Sequence, residues 1–150
     1  MLADRDLTIQ VYKDLGRSVD YLLERSDIDH AKLAYYGMSR GAGMGIIYLA
    51  VDNRFKAAVL VTGGLARTAL PELDPFNYVT RVHVPVLMLV GQNDTMLPLE
   101  SAQNPMRDLL GTPKEDKKLV AYDVPGHNVR WDDAVKETLS WLDKYFGKVR

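Results

Sequence analysis

Gly37-Met38-Ser39-Arg40-Gly41 follows the short apolar run Lys32 to Tyr36 and opens a helix of small residues, Ala42 to Val51. A strand, a sharp turn and a helix with a serine at the apex put that hydroxyl clear of the sheet. The flanking glycines have a mechanical rationale, because a strained apical residue crowded by helix and strand leaves no room for Cβ atoms two positions away. Helix capping is the other reading of Ser39, since serine is a preferred residue at helix starts.

Two later groups bear on that choice. Asp94 follows the most apolar segment of the chain, Val84 to Val90, and so lies just past the carboxyl end of a predicted buried parallel strand. Its alternative is a turn cap ahead of Pro98. His127 lies in Val124-Pro125-Gly126-His127-Asn128, after the strand-like Lys118 to Tyr122. His30 and His83 precede their strands, at the wrong ends. Asp123 is the one substitute for Asp94 as the partner of His127. Ser39, Asp94 and His127 all occupy loops at strand carboxyl ends, which share one edge of an open parallel sheet, where ligands bind.

The chain resembles the carboxyl-terminal half of an α/β-hydrolase, whose members carry Ser, then Asp or Glu, then His in that order. The elbow pentapeptide, Gly91-x-x-Asp94-x-x-x-Pro98, Gly126-His127 and the amphipathic last helix carry the match. The lead-in Asp27 to Ala34 is similar to the dienelactone-hydrolase and prolyl-oligopeptidase-like branches. The resemblance implies an α/β fold with a mostly parallel sheet of four or slightly more strands, lacking the usual first strands. It also implies a serine esterase acting on small carboxylic esters: Ser39 as nucleophile, His127 as base, Asp94 orienting the imidazole, and the Arg40 backbone N–H in the oxyanion hole. No segment before the first helix matches the loop that supplies the family's second oxyanion donor.

Composition agrees with a single domain. The 150 residues are 47% hydrophobic, enough for one core. A formal charge of −1, from 19 basic and 20 acidic residues spread along the chain, gives no electrostatic footprint for nucleic acid or an anionic membrane. The absence of cysteine excludes disulfides, thiolate metal sites and a thiol nucleophile. No metal or organic cofactor is expected, and with no signal-like or membrane-spanning segment a cytoplasmic protein is expected.

Leu7, Val11, Leu15, Val19 and Leu22 repeat at helical spacing and predict one buried stripe. Ala57 to Val61 predicts a second strand, and Leu65 to His83 a short connection that leaves the cleft open. Asn104-Pro105 inside Leu99 to Leu110 predicts a kink or two short helices. The last helix is expected to bury Trp131, Ala134, Val135, Thr138, Leu139, Leu142 and Phe146. The strand before the elbow would be a naked sheet edge, and self-association through it is expected. A non-catalytic or weakly active interaction module and a flavodoxin-like binding protein share the same coarse pattern.

Overall fold

The computed structural model describes residues 2–66 and 70–148. Four strands, β1 (Ala34–Met38), β2 (Ala57–Val61), β3 (Val86–Asn93) and β4 (Lys117–Pro125), form one parallel sheet in the order β1-β2-β3-β4. The helices are α1 (Leu2–Glu24), α2 (Arg40–Val51), α3 (Asn104–Leu109) and α4 (Trp131–Phe146). The α/β fold expected from the sequence is the one observed.

Burial follows the pleat. Successive side chains of a strand face opposite sides, so Tyr35, Ala58, Leu60, Met88 and Val90 share one core with Ile46 and Leu49 of α2 and Val19 of α1. Val59, Val61, Leu87 and Leu89 form the other, with Ala134 and Trp141 of α4. All five residues of β2 are buried, which is why its sequence reads as continuous apolar rather than alternating.

Hydrogen bonding moves the strand boundaries away from those expected. Asp29 accepts from the Ala31 N–H at 3.0 Å and caps a tight turn at His30–Lys32, so β1 begins at Ala34 rather than Lys32 and runs on to Met38. The first contact of the Val84 segment with β2 is the Pro85 carbonyl, which accepts from the Ala58 N–H at 2.8 Å. β3 therefore starts at Val86 and continues through Asn93. Between Leu70 and His83 the chain makes three short 3-10 turns. The Leu99 to Leu110 stretch divides as expected, into a π-helical turn at Leu99–Gln103 and α3, with Pro105 in the first turn of α3.

Two helices present different faces from those expected. Leu7 and Val11 are exposed, and the buried line of α1 runs through Thr8, Tyr12, Leu15 and Val19, with Tyr12 stacked on Tyr48. The start of α1 stands beside the sheet edge, where Leu7, Val11, Tyr36 and Arg40 border a cavity of about 550 Å3. On α4, Ala134 and Trp141 are buried while Trp131, Val135 and Leu139 are exposed. Glu137 reaches back to Lys118 of β4 at 2.7 Å, so that flank of α4 faces β4. Val135 and Leu139 lie away from the buried line of Ala134 and Trp141 and face solvent. On β1, Tyr36 and Met38, in register with Val59 and Val61, are also exposed. Among the described residues β1 pairs only with β2, leaving its outer edge open.

The far end of α2 is tied to α1 by charge. Arg54 donates to the buried Asp52 at 2.6 Å and to Asp20 of α1 at 2.6 Å. The guanidinium's hydrogen bonds hold the Asp52 carboxyl below the usual range, and hydrogen bonds from Arg17 and then Arg54 do the same for Asp20.

Candidate active site

The elbow is strained where its sequence suggests. Ser39 has φ 52° and ψ −114°, a region that residues with a Cβ seldom occupy. Its N–H donates to the last carbonyl of β2, Val61 O, at 2.8 Å, so the sheet fixes the apex. Its carbonyl accepts from the Ala42 and Gly43 N–H groups, both at 3.0 Å, while the side chain makes no capping bond. The hydroxyl is thereby free for another partner. Thr62, at the neighbouring end of β2, is also strained, with φ 48°.

Gly37 is required by close approach. A Cβ there would lie 2.5 Å from the Gly41 carbonyl oxygen and 2.7 Å from Tyr35 Cε1. The same expectation fails at Gly41, where a Cβ would meet nothing within 4 Å. The helix turns Gly41 away from the strand, so only one of the two flanking glycines is sterically enforced. Tyr35 donates its hydroxyl to the Gly41 carbonyl at 2.7 Å, and burial pushes this phenol up to about 12, keeping it a donor.

Ser39, His127 and Asp94 come together. Ser39 Oγ lies 2.8 Å from His127 Nε2, and His127 Nδ1 lies 2.6 Å from Asp94 Oδ2. The Asp94 side chain is fully buried and the imidazole partly so, at 18% exposure. Asp94 Oδ1 accepts from the Met96 and Leu97 N–H groups at 2.9 and 3.0 Å, which aims Oδ2 at the ring. Asp123 instead accepts from the Asn93 side chain at 2.9 Å, turned to a different partner. His30 and His83 bond to the carbonyls of Arg25 and Gly111, away from this cluster.

The histidine is placed by a tight turn in which the Asn128 N–H donates to the Gly126 carbonyl at 2.9 Å, with Gly126 at φ 69°. That turn lies directly on Gly91, where a Cβ would meet Asn128 O at 2.7 Å. The pairing of β3 with β4 shifts register between Gly91 and Asn93, re-aiming the chain just ahead of Asp94.

Arg40 is the first residue of α2, where a helix N–H has no acceptor inside the helix and is open to a negative charge. A cavity of about 280 Å3 opens beside Ser39, Arg40 and His127, walled by Met44, Ala66, Pro75, Met96 and Leu97. Its lining is mostly apolar. Among the described residues no group of three or more acidic or histidine side chains is placed to hold a metal ion. None of their helices is long and apolar enough to cross a membrane. A residue the sequence does not signal also reaches the cluster: the fully buried Gln103 approaches Asp94 Oδ2 at 3.3 Å.

Comparison with known proteins gives a consistent picture. The family model described as dienelactone hydrolase matches residues 1–140. A protein of Salmonella typhimurium named "Putative carboxymethylenebutenolidase" is 30% identical over 93% of this chain and 56% of its own length. This chain thus spans about half the length of the curated relatives it matches. Among solved structures, a cold-adapted esterase from an Arctic intertidal metagenomic library is 25% identical, with a TM-score of 0.75 over 92% of this chain and 59% of that one. An acetyl xylan esterase from Paenibacillus, 20% identical, superimposes with a TM-score of 0.76 over 91% of this chain and 52% of that one, which speaks to the fold alone.

Proposed function

The chain belongs to the dienelactone hydrolase family, and on that premise we propose that it is a serine hydrolase that cleaves small carboxylic esters through an acyl-enzyme on Ser39. The observation that carries this reading is the unbroken line of hydrogen bonds from Ser39 Oγ through His127 to the buried Asp94. A serine hydroxyl is a weak nucleophile at neutral pH, so it needs a base within reach. His127 Nε2 takes the proton as Oγ forms its bond to the ester carbonyl carbon. Asp94 holds the ring in the tautomer that leaves Nε2 free and stabilises the imidazolium.

The carbonyl oxygen becomes an oxyanion, which the Arg40 N–H receives. Collapse expels the alkoxide, which takes its proton from His127 Nε2 and leaves as the alcohol. Water then repeats the sequence on the acyl-enzyme, releasing the acid and restoring Ser39. The apolar walls of the adjacent cavity suit an uncharged acyl or alkoxy group, and the near-neutral chain suits small neutral esters better than polyanions. No step calls for a metal or cofactor.

Treatment with a fluorophosphonate, followed by mass spectrometry, is expected to find Ser39 modified. Ser39→Ala is expected to abolish hydrolysis of a short-chain chromogenic ester with the fold intact. Full activity in that variant refutes the assignment.

A second reading, an interaction module with little or no catalysis, draws on the open β1 edge and the exposed Tyr36 and Met38 of that strand. It predicts self-association. Sedimentation showing only monomer at micromolar concentration, together with turnover by the isolated chain, removes it.

A further inference from the structure

Gln103 is completely buried and sits at the end of the π-helical turn Leu99–Gln103. The Ala102 and Gln103 N–H groups both reach the Pro98 carbonyl, at 2.9 and 3.3 Å, so the turn is widened by one residue. Such turns are rare and recur at functional sites. Gln103 Nε2 lies 2.7 Å from the Leu97 carbonyl and 3.3 Å from Asp94 Oδ2. Both partners are acceptors, which fixes the amide: the nitrogen must face them. Oε1 then points elsewhere and has no hydrogen-bond partner among the described residues.

We propose that Gln103 is a positioning residue for the relay, its amide holding Asp94 Oδ2 at the place His127 Nδ1 requires. This rests on reading Ser39, His127 and Asp94 as the acyl-transfer machinery. Two backbone N–H groups hold Oδ1, while Oδ2 meets His127 Nδ1 and the Gln103 amide. Through its bond to the Leu97 carbonyl, that amide ties Oδ2 to the same loop that supplies the Leu97 N–H. The orphaned Oε1 points the same way. A buried acceptor without a partner is a cost to folding, which the two contacts at the nitrogen end, to the Leu97 carbonyl and Asp94 Oδ2, must offset. The benefit lies at the nitrogen end.

Gln103→Met removes the donor and keeps the volume; Gln103→Asn keeps an amide too short to span both acceptors. Circular dichroism reports folding, and fluorophosphonate labelling counts competent sites. The expected result is a kcat per labelled site lower by roughly tenfold, part of the 10² to 10⁴ that a well-placed base contributes, with KM unchanged. The downfield proton NMR signal of the His127 Nδ1–H, sharp while held against Asp94, is expected to broaden by faster exchange. Wild-type kcat and an unaltered signal in a folded variant overturn the proposal, as does failure of both variants to fold, which makes the residue structural. The NMR signal needs no turnover. A wild-type protein that hydrolyses no ester would therefore sink the hydrolase reading, while loss of the signal in the variants would still uphold the role of Gln103.

Discussion

The two glycines that flank Met38-Ser39-Arg40 are equivalent in the sequence pattern and opposite in the structure, so the same substitution at each should give opposite results. In Gly37→Ala the new Cβ falls 2.5 Å from Gly41 O and 2.7 Å from both Gly41 C and Tyr35 Cε1. Two of those atoms are backbone in the first turn of α2, and the third belongs to a buried ring. That ring cannot retreat, because the Cβ position of Gly45 is itself only 2.5 Å from Tyr35 Cε1. Relief needs α2 and β1 to part by something on the order of 1 Å, with an overpacking cost of about 1–3 kcal/mol. The same movement carries Ser39 off the 2.8 Å bond to His127. A misplacement of that size costs on the order of 10²-fold in rate. In Gly41→Ala the new methyl meets nothing within 4 Å on a helical residue, and the less flexible unfolded chain should raise stability by about 0.4–1 kcal/mol. Denaturant unfolding and the rate of fluorophosphonate labelling measure both. A Gly37→Ala protein with unchanged midpoint and labelling rate, or a Gly41→Ala protein as damaged as Gly37→Ala, refutes the steric account of the elbow.

Two further perturbations test the scaffold. Arg54→Met leaves the buried Asp52 without its counterion and unties Asp20 of α1, and should cost about 1–3 kcal/mol near neutral pH. The folded Asp52 carboxyl is held below its unfolded value, chiefly by hydrogen bonds from Arg54, so the stabilisation is present above about pH 4 and fades as pH falls through the folded value. Unfolding curves should show the gap between variant and wild type closing at acid pH; a gap that widens there contradicts the pairing. Tyr35→Phe removes the 2.7 Å bond to the Gly41 carbonyl and leaves that acceptor without the phenol, for a loss of about 0.5–1.5 kcal/mol by thermal or denaturant unfolding. An unaffected midpoint would mean that the phenol does not brace the elbow.

The positions of Ser39, Asp94 and His127 are legible in the sequence because each follows a strand, and the carboxyl ends of parallel strands must meet at one edge of the sheet. Apolar runs mark strands even where their limits are blurred: β1 and β3 both begin two residues late and end two or three residues beyond expectation. Those limits depend on the Asp29 cap and on which carbonyl first meets a neighbour, neither of which leaves a periodic trace. The helix faces were legible only in part. Leu7, Val11, Val135 and Leu139 have the spacing of a core stripe, but all four are exposed, because a stripe records what a helix can bury and not what it meets. Gln103 carries no signal at all. It is one polar residue in a short segment already interrupted by Asn104-Pro105, and its aim at Asp94 depends on a widened turn that no sequence pattern announces.

The relay and the walls around it draw on different parts of the molecule. Ser39 is held by β1, β2 and the start of α2; Asp94 by the loop after β3; His127 by the turn after β4 that rests on Gly91. Every one of these supports lies within the described residues and depends on pairings inside the four-stranded sheet. The walls are less evenly built. On the side of the 3-10 turns, Ala66, Pro75, Met96 and Leu97 enclose the cavity beside Ser39. On the other side Arg40 borders the second cavity, where Leu7 and Val11 stand exposed next to the open edge of β1. On the proposed mechanism, substitutions in the relay therefore act on the rate of acylation for every ester alike. Changes at Tyr36, Leu7 or Val11, which border the second cavity and not the one beside Ser39, should leave fluorophosphonate labelling of Ser39 intact.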